Sequence, residues 1–87
     1  MSVAAAIEAD LLRALQPASL QVQDDGHLHV GHAGAREGGH FTVRIVAPCF
    51  AGRSLVARHR LVYDALGPLG QRGIHALAIE ALAPGEV

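Results

Sequence analysis

Ser54-Leu55-Val56-Ala57-Arg58-His59-Arg60-Leu61-Val62-Tyr63-Asp64-Ala65-Leu66 is the stretch whose reading decides the fold. Ser54 has the side chain of a helix N-cap, and the residues after it predict a helix from Leu55 to about Leu66. Leu55, His59, Val62 and Leu66 recur at helical spacing and form the expected buried stripe. Arg60 and Asp64 stand one turn apart as an exposed ion pair. Just upstream, His40 to Ala47 alternates like a strand: Phe41, Val43 and Ile45 share one face, Thr42 and Arg44 the other. Pro48 ends it. Downstream, Gly67, Pro68, Gly70 and Gly73 break the regularity, with room for one short extra turn. His75 to Leu82 then reads as a strand, apolar on nearly both faces. A strand, a helix and a strand in this order favour parallel neighbours joined by a right-handed crossover.

Working outward, Val3, Ile7, Leu11 and Leu15 form the stripe of a first helix, which Leu12 widens. Ser2 can cap its start, and Pro17 lies just past its end. Ser19 to Asp24 alternates as a short half-buried strand, with Leu20 and Val22 on the inner face. Asp25 to Gly39 is rich in glycine and histidine and reads as a long loop, a length often associated with function. The first two strands can pair antiparallel through it. Ala83 to Val87 reads as a frayed tail. The order helix, strand, strand, helix, strand gives an α+β fold, a mixed three-stranded sheet with helices packed on one face. Residues 1–87 form a single domain.

Bulk properties narrow the function classes. At 87 residues the chain buries only roughly 60–65% of its unfolded surface, so the core is modest. Phe41, Phe50 and Tyr63 are its only aromatics, so that core must be aliphatic. A net charge of -1 supplies no global basic field, which speaks against strong non-specific nucleic-acid binding. The single cysteine, Cys49, cannot form an intrachain disulfide, which fits a reducing compartment. There is no cationic, apolar secretory leader and no apolar stretch of the ~20 residues a membrane span needs. The expectation is a cytoplasmic protein with no membrane association. No Ser/His/Asp constellation, phosphate loop or H-E-x-x-H motif is present, so an enzyme is not expected.

The six histidines are the chemical anomaly. His27, His29, His32 and His40 lie upstream; His59 and His75 sit among apolar residues. An imidazole-rich, thiol-poor domain points to metal or cofactor ligation shared with a partner, or to structural histidines. His59, on the helix stripe, reads as packed, and His40, opening a strand, reads as structural. His75 at a strand start could bond a backbone carbonyl or ligate. The loop histidines could be solvated or hold adventitious zinc or nickel. Cys49, between Pro48 and Phe50, reads as a small, partly buried residue.

Phe50-Ala51-Gly52-Arg53-Ser54-Leu55-Val56-Ala57-Arg58-His59-Arg60-Leu61-Val62-Tyr63, then Gly73-Ile74-His75-Ala76-Leu77, then Pro84 and Glu86, resembles the BolA family over essentially the whole chain. Asp24-Asp25 before the histidine loop and Gly39-His40-Phe41 match the same pattern. Gly26, where a serine is usual, and Cys49, where a polar or small residue is more common, depart from it. The resemblance implies an αββααβ fold like the class II KH domain. It implies a role in iron homeostasis: a heterodimer with a monothiol glutaredoxin that shares a bridging 2Fe-2S cluster, the chain alone being a monomer or weak homodimer. It assigns one metal ligand to His75. The second falls in the loop, at His29 by spacing from the acidic pair or His32 by spacing from Gly39. Iron–sulfur irons favour thiolates, though imidazole can replace them on one iron. This chain lacks the thiolates, so a glutaredoxin cysteine and glutathione would complete the set.

Some members of that family are described as DNA-binding transcriptional regulators that influence cell shape. The segment where a KH domain has its GXXG loop is Gly52-Arg53-Ser54-Leu55, without the second glycine, which argues against KH-type RNA binding. Duplex DNA could still be met by Arg53, Arg58 and Arg60 near a helix N-terminus. The plain reading is that Arg58 pairs with a nearby carboxylate and Arg60 with Asp64.

Overall fold

A computed structural model describes residues 2–25 and 39–87. Helix α1 spans Val3–Leu15 and helix α2 spans Leu55–Leu66. The strands are β1, Ser19–Asp24, β2, Gly39–Val46, and β3, Ile74–Leu82. Short 3₁₀ turns follow β2 at Pro48–Phe50, precede β3 at Gly70–Arg72 and close the chain at Pro84–Glu86. The turn at Gly70–Arg72 is the extra turn expected after α2.

Both helices begin as their sequences dictate. The Ser2 hydroxyl accepts the Ala5 N–H and the Ser54 hydroxyl accepts the Ala57 N–H, each at 3.1 Å. Each bond satisfies one of the donors that a helix start leaves open. Gln16 ends α1 in a left-handed conformation, and its N–H returns to the Leu12 carbonyl. Asp10 ties α1 to the turn before β3 through an ion pair with Arg72.

The sheet order is β1-β2-β3. β1 pairs antiparallel with β2, from Ser19 opposite Val46 to Asp24 opposite Phe41. β2 pairs parallel with β3, as the helical crossover requires. Phe41, Val43 and Ile45 of β2 meet Ile7 and Leu11 of α1 and Val62 and Leu66 of α2 in one core, with Phe50 beneath the turn. Each fully buried side chain of this kind contributes roughly 1.5–3 kcal/mol. The opposite sheet face carries Thr42, Arg44, Ala76, Ala78 and Glu80, by strand alternation, with Arg44 and Glu80 paired at 3.4 Å.

The structure corrects three expectations. Leu55 is 68% exposed, and the place expected for it on the α2 stripe belongs to Arg58, which is buried with Val62 and Leu66. Leu55 and Val56 of the first turn are both exposed, whereas Arg58 is held inward by the Arg53 and Ala81 carbonyls and by Glu86. His59 is accordingly only half-buried. Arg60 and Asp64 are both exposed, and among the described residues they form no ion pair. The tail is not frayed: Pro84–Glu86 is an ordered turn, bound through Glu86 to Arg58.

Candidate functional site

The parallel pairing of β2 with β3 is irregular at one point. Gly39 stands opposite Ile74, but His40 stands opposite Ala76. His75 is the extra residue, and the local register shift is a β-bulge. Its cause lies in the apolar pattern of β3. Ile74 is buried in the core, and Leu77, Ile79 and Ala81 also face it. A strict two-residue alternation cannot put both Ile74 and Leu77 on the inner face. One additional residue changes the phase, and that residue is an exposed histidine. Bulges of this kind re-aim side chains, often beside functional sites.

The backbone around the bulge is closely determined. The Gly39 N–H donates to the Gly73 carbonyl at 2.9 Å, tying the starts of β2 and β3 together. Gly73 sits at φ 78°, a left-handed conformation that favours glycine. A Cβ on Gly39 would lie 2.6 Å from Cε2 of Phe41, so the Phe41 ring lies against this glycine. The Asp25 N–H donates to the His40 carbonyl at 2.7 Å and extends the β1–β2 ladder by one bond.

This frame brings the His40 and His75 rings together, with centroids 5.2 Å apart and planes at 46°. His40 also lines a cavity of about 370 Å³ with Asp25, Phe41, Thr42, Ala76, Leu77 and Ala78. The Asp25 carboxylate is fixed beside it: the Thr42 hydroxyl donates to Oδ2 at 2.5 Å and the Gln23 amide to Oδ1 at 2.8 Å. Reading the sequence assigned His40 a structural role and missed this pairing. A signal was present in the two His-bearing strand starts that a parallel crossover places side by side.

The other candidates divide. His29 and His32 lie outside the described residues. Cys49 is half-buried beyond the far end of β2, the end opposite His40. Arg53 is exposed, and its Nε donates to the Cys49 carbonyl at 2.9 Å. Arg60 is exposed on α2. Arg58 is not available to a phosphate. It is 7% exposed, and its Nε donates to the Arg53 carbonyl and Nη1 to the Ala81 carbonyl, both at 3.0 Å. Nη1 and Nη2 also grip the two carboxylate oxygens of Glu86 at 2.5 and 2.8 Å. Glu86 Oε1 accepts the Ala83 N–H as well, at 2.9 Å. The hydrogen bonds from Arg58, then that from Ala83, hold the Glu86 carboxyl at about 2, below its ordinary 4.5. The same bond to Glu86 raises the Arg58 pKa.

Two neighbouring imidazoles are ligands that zinc, copper, nickel and iron favour over hard cations, but among the described residues no group of three His, Cys, Asp or Glu side chains is placed to hold a metal ion. Neither α1 nor α2 is long enough to cross a membrane, and no helix among the described residues qualifies.

A two-helix, three-stranded α+β domain with a histidine bulge at one sheet end is the class of molecule these features define. The chain belongs to the BolA-like protein family, whose model matches residues 11–86. It is 46% identical over 89 residues to a Sinorhizobium protein described as an uncharacterized protein in the cobS 5' region, covering 99% of this chain and 96% of that one. It is 40% identical to mouse BolA-like protein 1, covering 97% of this chain and 60% of the mouse protein. The chain spans only 24% of the Arabidopsis SufE-like protein 1 that it also matches. Among solved structures, the BolA domain of SufE1 from Arabidopsis superposes with a TM-score of 0.84 at 45% identity, covering 100% of this chain and 98% of that one.

Proposed function

We propose that this chain is a non-enzymatic adaptor in iron–sulfur cluster trafficking and iron homeostasis. In this reading it pairs with a monothiol glutaredoxin and shares a bridging two-iron, two-sulfur cluster with it. The observation that carries the proposal is the exposed imidazole of His75 on a bulge, at the sheet end remote from the chain's only thiol. Imidazole can replace thiolate on one iron of such a cluster, so the donors fit half of a shared site. The remaining sulfur then comes from outside, from a glutaredoxin cysteine and glutathione. The family resemblance assigns the second imidazole to His29 or His32.

When bound, the cluster is cargo with a reduction potential raised by its histidine ligands. The chain's own residues fix where it can dock. The bond between Gly39 and Gly73 ties the two strand starts, and the bulge leaves His75 exposed.

Visible absorption and circular dichroism test this directly. Mixing the chain with a monothiol glutaredoxin, iron, sulfide and glutathione gives a heterodimer spectrum distinct from that of the glutaredoxin homodimer, and His75→Ala alters it. A spectrum unchanged by adding the chain sinks the proposal. Duplex DNA binding is the weaker reading, because Arg58 is committed to Glu86. If it exists, its salt dependence is steep and falls with Arg53→Ala and Arg60→Ala.

A further inference from the structure

We infer that His40 and His75 form a two-imidazole chelate for a single metal atom, and that His40, rather than a loop histidine, is the second donor this chain supplies. Two imidazoles bound to one tetrahedral metal at about 2.0–2.1 Å hold their ring centres about 5 Å apart. The rings of His40 and His75 already stand 5.2 Å apart. Their planes are tilted at 46°, so this is not a parallel stack. One ring comes from the central strand and the other from its parallel neighbour. Both strand starts are fixed by the Gly39–Gly73 backbone bond and by the ladder itself.

The bulge strengthens the argument. The core requires only that β3 gain one residue between Ile74 and Ala76. It does not require that residue to be a histidine, nor that its ring lie beside the one imidazole of β2. A chelate on adjacent strands is preorganised, so less freedom is lost on binding than when a loop must be ordered. A tetrahedral iron held this way keeps two positions for the bridging sulfides of a cluster, and the partner's thiolates then hold the second iron. As a ligand assignment within the cluster this rests on the glutaredoxin reading; as a chelate it does not, and it can be tested on the chain alone.

The test is titration of the isolated chain with Co²⁺, followed by its ligand-field absorption and by paramagnetically shifted imidazole protons. The parent shows a visible band and shifted protons from both rings. His40→Ala or His75→Ala singly weakens Co²⁺ binding by more than about tenfold, and the double variant adds little, because one imidazole alone is no chelate. His40→Gln, which keeps a polar side chain, shows the same loss, and urea unfolding confirms that each variant folds. A His29→Ala/His32→Ala double variant retains parent affinity. The inference is overturned if folded His40→Gln binds Co²⁺ like the parent, or if removing the loop histidines abolishes the band. Either result leaves the glutaredoxin heterodimer standing or falling on its own spectrum.

Discussion

Arg58 and Glu86, 28 positions apart, close the domain through a bidentate ion pair with N–O distances of 2.5 and 2.8 Å. The same guanidinium donates to the carbonyls of Arg53 and Ala81, so one side chain joins the entry to α2, the end of β3 and the last turn. Arg58→Ala therefore lowers the urea midpoint clearly more than Arg60→Ala, whose side chain is exposed. Arg58→Lys does not restore it, because an ammonium cannot reproduce the planar fork. Equal midpoints for the two alanine variants would contradict this account.

The pair also sets an acid dependence. The Glu86 carboxyl is held at about 2 when folded, against an ordinary 4.5. A depressed folded value means that its stabilisation is fully present above the unfolded value and is lost as pH falls from about 4.5 towards 2. In urea midpoints measured across that window, Glu86→Gln gives a shallower acid decline than the parent. Parallel curves would remove Glu86 as a cause.

Two glycines at the site end resist alanine for different reasons. At Gly39 the new Cβ meets the Phe41 ring at 2.6 Å, and that ring is held in the core. Overpacking of this kind costs about 1–3 kcal/mol. At Gly73 the nearest atom, Cγ2 of Val3, is an ordinary 3.5 Å away, so the cost is the φ of 78° itself. Left-handed backbone costs a non-glycine residue about 1–2 kcal/mol. Denaturant unfolding measures both. A neutral Gly39→Ala would show that Phe41 can retreat, and its metal titration would then report whether His40 moves with it.

Leu11 and Leu55 make a matched pair for the core. Leu11 is fully buried and Leu55 largely exposed. Leu11→Ala costs about 2–5 kcal/mol. Leu55→Ala stays within about 0.5 kcal/mol of neutral. A large loss at Leu55 would mean that the first turn of α2 is covered in solution.

Local pattern carried much of the architecture. The caps Ser2 and Ser54 and the apolar spacing located both helices, and alternation located β1 to its ends. The misreadings share one cause: each depended on contacts between distant residues. Arg58 does pair with a carboxylate, as its sequence suggests, but that carboxylate, Glu86, stands 28 positions along the chain rather than close by. Glu86 sat in a Pro-Gly sequence that, taken alone, reads as loose. Leu55 obeyed the helical period but fell beyond the edge of the core. His40 and His75 are neighbours because β2 and β3 run parallel with a one-residue offset, and the three-residue spacing of Ile74 and Leu77 marks that offset only once both are known to face the core. His29 and His32 lie outside the described residues, so their candidacy still stands on the family resemblance.

The bulge has a consequence for how such a domain can vary. A residue opposite no rung of the ladder is not bound to the alternation of the core, although the ring of His75 lies beside that of His40. Ile74 and Leu77 hold their places whatever stands between them at position 75. Side-chain identity at that position is thereby set apart from the packing of the core, so His75 can be exchanged for another residue while the architecture stays intact.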